Sequence, residues 1–106
     1  MKEARLILPL CDNDGAPLRE LHARLRHNLA TRFGGVTEIL GHGCWIDNGR
    51  NYDEPVVIYE VAAPGGAADN RYLRELAQFL AVEGKQKCIY VRYPNGEVGF
   101  VRAPAP

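Results

Sequence analysis

Residues 36–63 read VTEILGHGCWIDNGRNYDEPVVIYEVAA, and this stretch decides the fold. Val36–Ile46 has strand character, interrupted by Gly41 and Gly43. Paired glycines in a strand pattern predict a bulge or a close backbone approach. Asp47-Asn48-Gly49 is a turn signal, and Tyr52–Ala63 follows as a second run rich in β-branched and aromatic residues. Two strands so close in sequence predict a hairpin, which Pro64-Gly65-Gly66 ends.

Helices are predicted on both sides of the hairpin. Upstream, Leu18, Leu21, Leu25, Leu29 and Phe33 recur at three- and four-residue spacing. Arg19, Glu20, Arg24, His27 and Thr31 lie off that stripe, as an amphipathic helix requires. Pro17 suits the first turn of this helix and Gly34-Gly35 its end. Downstream, Asp69 is placed as the cap of a helix from Asn70 to about Val82, with Leu73, Leu76, Ala77 and Leu80 buried.

Further out, Ala4–Cys11 alternates in a period of two and reads as the first strand. Gln86–Tyr93 reads as the fourth, and Pro94-Asn95-Gly96 turns into a short final strand at Glu97–Arg102. The order β-α-β-β-α-β is that of a ferredoxin-like α+β fold: an antiparallel sheet with two helices on one face, here with a short extra C-terminal strand. Residues 1–102 are expected to form a single domain, and Ala103–Pro106 a frayed tail.

Composition limits function. Of 106 residues, 46% are hydrophobic and 25% charged, ordinary globular usage. The 13 basic side chains balance 13 acidic ones, with no basic stripe, so nucleic acid is not expected as a partner. No apolar run is long enough for a membrane span. The N-terminus lacks the pattern of an export signal, and Cys11, Cys44 and Cys88 show no paired spacing. These features predict a cytoplasmic protein with reduced thiols.

In the ferredoxin-like order 4-1-3-2, the end of strand 1, the strand 2–3 turn and the start of strand 4 share one end of the sheet. That end collects Asp12, Asp14, His42, Cys44, Trp45, Asp47, Arg50, Tyr52, Asp53, Glu54, Lys85, Gln86 and Cys88. Strand parity adds a second feature. The face away from the helices is apolar in its middle (Ile7, Val56, Ile58, Tyr90) and charged at its edges (Arg5, Glu60, Arg92). Such a face fits a homodimer interface or a ligand cleft.

Each candidate has a plainer alternative. Trp45, the sole tryptophan, suits stacking on a ligand, but large aromatics commonly serve packing. Glu54 suits a general acid or base if buried, and otherwise a solvated turn acid. His42 suits proton transfer by its pKa, and equally a structural role. His22 and His27 are five apart, which does not put both on one helix face for a metal. Asp12-Asn13-Asp14-Gly15 opens like a calcium loop but lacks the closing glutamate, so turn chemistry explains it better. No cofactor motif and no metal ligand set is present, so none of either is expected.

From Arg32 to Val91 the chain resembles a family of small uncharacterised bacterial domains. The family signature runs Arg-Phe-x-x-Gly-x-Thr, Gly-x-Trp, a glycine-containing turn, Glu, and a Gln before the last main strand. Here these positions read Arg32-Phe33-Gly34-Gly35-Val36-Thr37, one residue shorter than the pattern, then Gly43-Cys44-Trp45, Gly49, Glu54 and Gln86. The resemblance implies that Trp45, Glu54 and Gln86 work together.

Two functions follow as expectations. The first is a binding or interaction module, homodimeric through the open face, taking a small molecule or a protein near Trp45, Tyr52, Glu54 and Gln86. The alternative is a small enzyme of the dimeric α+β barrel type, with Glu54 or His42 as general base. A deep pocket that desolvates either base favours the enzyme, and a shallow face with both solvated favours the module.

Overall fold

The computed structural model describes residues 1–105. The elements in chain order are β1 (Lys2–Pro9), α1 (Arg19–Phe33), β2 (Thr37–Asp47), β3 (Arg50–Ala63), α2 (Ala67–Glu83), β4 (Cys88–Arg92) and β5 (Val98–Arg102). All strands join one five-stranded antiparallel sheet in the order β2-β3-β1-β4-β5. The α+β class and the extra C-terminal strand are as expected. The sheet is not a plain ferredoxin-like one, because β5 continues it beyond β4.

Register explains which residues are covered. Leu6 pairs with Tyr59, Leu8 with Val57 and Ala4 with Val61, so these side chains share a face. Together with Ile89 and Val91 they meet Leu18, Leu21, Leu25 and Leu29 of the α1 stripe and Leu73, Leu76, Ala77 and Leu80 of α2 in one buried cluster. Both helices therefore lie on the same side of the sheet. His22 is buried inside this core and satisfied at both nitrogens, 2.6 Å from Tyr59 Oη and 2.8 Å from Pro9 O.

The β2–β3 hairpin is tighter than expected. Asp47 pairs with Arg50 across a two-residue turn, Asn48-Gly49, with φ of 52° and 77°. Positive φ at both positions defines the turn type that matches strand twist, and Asn-Gly is its preferred sequence. Register runs unbroken from Thr37↔Glu60 to Asp47↔Arg50. The expected bulge at Gly41 and Gly43 is absent, and what lies close to both glycines is side chain rather than the expected backbone. A Cβ at Gly41 would lie 3.3 Å from Ile58 Cδ1, and one at Gly43 2.5 Å from Trp45 Cζ3.

Other boundaries move for local reasons. Pro17 lies outside α1, bridged to Cys11, and the helix begins at Arg19. β1 stops at Pro9, so Leu10 falls outside it and is exposed. Asp69 is not the cap of α2. That helix starts at Ala67 after Gly66, and Asp69, in its first turn, accepts Gly65 N–H at 3.0 Å and pairs with Arg32 at 3.1 Å. No described helix is long and apolar enough to cross a membrane. The expectation of a frayed tail includes Pro106, which lies outside the described residues.

Candidate functional site

Among the described residues, no element covers the sheet face away from the helices. Its side chains follow from register: Arg5, Ile7 and Pro9 on β1 align with Glu60, Ile58 and Val56 on β3. On β2, Thr37, Ile39, Gly41, Gly43 and Trp45 continue the rows, and on β4 and β5 so do Tyr90 and Phe100. Tyr90 and Phe100 meet edge to face at 5.8 Å, and Phe100 is 68% exposed.

At one end this face deepens into a cleft, because its strands differ in length. β1 ends at Pro9, opposite Val56, while β3 starts six residues earlier at Arg50. Beyond Pro9 the β2–β3 hairpin continues without β1 beside it, facing the start of β4 across a gap. The resulting cleft holds about 960 Å³. It is lined by Trp45, Asp47, Asn48, Arg50, Tyr52 and Glu54 from the hairpin. Asp12 and Asn13 line it from the β1–α1 loop, Gln86, Lys87 and Cys88 from the approach to β4, and Arg102 from β5. Lys87 Nζ reaches Asp47 Oδ2 at 2.5 Å and spans the gap at the hairpin tip.

Four of the five predicted site residues meet here. Trp45 and Tyr52 are directly opposed, as are Gly43 and Glu54 on the same face. Trp45 is 44% exposed, and its six-membered ring lies over Gly43. Arg50 stacks on Tyr52, its guanidinium carbon 5.3 Å from the ring centre. Glu54 is half-buried and in no ion pair among the described residues. Burial pushes its carboxyl above the ordinary range. Gln86 Nε2 donates to Gly84 O at 2.9 Å and Cys11 O at 3.3 Å. With both amide hydrogens so placed, its Oε1 is left as an acceptor for the cleft.

His42 is not among them. One residue out of register with Gly43, it projects from the other side of β2, exposed and paired with Asp53. Asp12 uses its Oδ1 to accept Asp14 N–H at 2.8 Å and Ala16 N–H at 2.9 Å, which is turn chemistry. No group of three or more metal-ligating side chains occurs among the described residues. Sequence reasoning missed Arg102 and Lys87, both cleft-lining. The signal for Arg102 was strand parity, which puts it opposite Cys88 once β5 is paired to β4; Lys87, just before β4, had none.

The sequence matches no family model and no curated protein. Two solved structures share the fold. A phage SAM lyase in complex with S-methyl-5'-thioadenosine superposes with a TM-score of 0.71 at 18% identity, covering 95% of this chain and 88% of that one. A phage SAM lyase in its apo state gives 0.69 at 17% identity, covering 98% and 90%.

Proposed function

We propose that this chain is a small enzyme that takes S-adenosylmethionine into the cleft and breaks its Cγ–S bond, releasing methylthioadenosine. The observation that carries the reading is the cleft itself, where Trp45, Tyr52, Glu54 and the oriented Gln86 converge. The shared fold of the phage SAM lyases, over nearly the whole of both chains, supports it. The strand order of this chain supports a ferredoxin-like sheet extended by β5 as the description of the fold, since the first four strands run β4-β1-β3-β2.

The side chains suit such a ligand. Trp45 and Tyr52 offer flat apolar surface for a base and for the carbons around sulfur. Glu54, without a cationic partner, attracts the sulfonium and accepts from ribose hydroxyls. Gln86 Oε1 accepts from an amino group. On cleavage the bonding electrons pass to sulfur, and the cation becomes a neutral thioether. The carbon is taken either by the substrate's own carboxylate, closing a lactone, or loses a neighbouring proton to Glu54, giving an unsaturated amino acid. Both routes need no oxidant or reductant. A transition state that loses charge is favoured where water is excluded.

Incubation with S-adenosylmethionine should yield methylthioadenosine, with the second product telling the two routes apart. Glu54→Gln should lower the rate about a hundredfold or more, as expected for a lost base or charged contact. Absence of both turnover and methylthioadenosine binding in folded protein sinks the proposal.

The open face favours a second reading, a non-catalytic module that pairs with another copy of itself. Ile7, Ile58 and Tyr90 are uncovered in its middle, with Phe100 beside them. Light scattering after size exclusion should show a dimer under this reading, and a monomer removes it.

A further inference from the structure

We infer that Gly43 is a positioning residue for the cleft: having no side chain, it lets the Trp45 indole lie flat on β2 beside Glu54. The geometry has three parts. A Cβ at Gly43 would stand 2.5 Å from Trp45 Cζ3 and 3.4 Å from Cε3 and Cη2, so any side chain there lifts the ring. Gly43 is directly opposite Glu54, and opposed residues have Cβ atoms about 4.5–5.5 Å apart. A ring held in the Gly43 position therefore covers the flank of Glu54. Trp45 and Glu54 also line the same cleft.

The consequence is one device with two outputs. The seated indole presents its outer face as a platform, and its edge keeps water from the Glu54 carboxyl. The other titratable or charged groups around the cleft are Tyr52 and Arg50 on β3, Asp47 at the hairpin tip, Asp12 on the β1–α1 loop, Lys87 and Cys88 at β4, and Arg102 on β5. None forms an ion pair with Glu54, and burial is the cause of its raised pKa. The platform role rests on the proposed function. The water-excluding role does not.

Gly43→Ala tests it in ligand-free protein, with Gly41→Ala as the control. The atoms nearest a Cβ at Gly41 would be in the Val56 and Ile58 side chains, so the control makes the same strand change away from the indole. Because Trp45 is the sole tryptophan, its fluorescence reports this site alone. Gly43→Ala should red-shift the emission and increase acrylamide quenching, and Gly41→Ala should do neither. Carbon-detected titration of Glu54 should move toward the ordinary carboxylate value in Gly43→Ala and again in Trp45→Ala, which keeps the test alive if Gly43→Ala folds poorly. Unchanged emission in folded Gly43→Ala, or an unchanged Glu54 titration in Trp45→Ala, overturns the inference. Methylthioadenosine affinity should also fall about tenfold or more in Gly43→Ala, the scale of one lost base–aromatic stack. If wild type does not bind that compound while emission and titration change as stated, the proposed function fails and the positioning role stands.

Discussion

The helix-covered face of the sheet and the cleft end treat polar groups in opposite ways. Under the helices, His22 is held between Tyr59 Oη and Pro9 O, and nothing polar on it is left over. In the cleft, among the described residues, Glu54 has no cationic partner and Gln86 keeps an unshared oxygen. Both regions are built on the same β3 strand, whose alternate residues point to one or the other. Glu54 and Gln86 are half-buried and open to water, so leaving them unpaired costs less than it would under the helices. The contrast separates a polar group closed inside the core from polar groups left open to the cleft.

The largest expected break in that contrast is Leu29→Ala. Leu29 is fully buried in the core cluster, and a truncation of this kind costs about 2–5 kcal/mol. Chemical denaturation should show that loss, while ligand affinity measured on the folded fraction stays near wild type. Glu54→Gln should do the reverse, losing ligand or turnover at equal or higher melting temperature, since a desolvated carboxylate is removed. If Leu29→Ala abolishes binding in protein that is still folded, the two regions are not separable in this way.

How much of this was legible in the residues depends on how local the signal was. The α1 stripe from Leu18 to Leu29 buries as its spacing implies, because amphipathic period is a property of the helix alone. The face-by-face parity of β1 and β3 was equally readable, and the open face follows from it. Trp45, Tyr52, Glu54 and Gln86 were placed at one end by topology and do line one cleft. His42 was grouped with them because topology sets the end of a strand and not its face, which alternation along β2 makes opposite to that of Trp45. A cleft was one of two readings of the open face, but its depth was not legible. It arises from β1 stopping at Pro9 while β3 runs on, and the exposed Leu10 gives no sign of that in a sequence where Leu6, Leu8 and Leu10 alternate evenly. The His22 anchor was invisible for a similar reason, since its partners lie 37 and 13 residues away.

A smaller effect sharpens the core side of the comparison. Tyr59→Phe keeps the ring but removes the hydroxyl that faces His22 Nδ1, leaving a buried nitrogen unsatisfied. That should cost about 1–3 kcal/mol. The same hydroxyl makes a pH prediction. Burial, with the Glu38 carboxylate next in effect, raises the Tyr59 pKa in the folded chain. Its neutral form therefore favours the fold. This contribution is complete below the pKa of an unfolded tyrosine, about 10, and is lost as pH rises through the folded value. Tyr72 is raised by burial in the same sense. Wild type should lose stability above about pH 10 more steeply than Tyr59→Phe, and parallel alkaline limbs in urea melts contradict this.

The smallest expected effect falls on the cleft side, at Lys87. Its ammonium reaches Asp47 across the gap between the hairpin tip and β4, and the pairing hydrogen bond, reinforced by the Asp47 charge, raises its pKa. Both partners are solvent-exposed, so Lys87→Ala should leave the melting temperature of the whole domain within error. Its consequence is local. The hairpin beyond Pro9 has no β1 beside it, and Lys87 ties its tip back to β4. Amide exchange over residues 47–52 should quicken in Lys87→Ala while the core amides of Leu25 and Leu80 keep their rates. High salt should bring wild type toward the variant, because screening weakens an exposed pair. Exchange at the tip that ignores both the substitution and the salt would mean that the hairpin carries its own rigidity, and that the cleft is as preformed as the core.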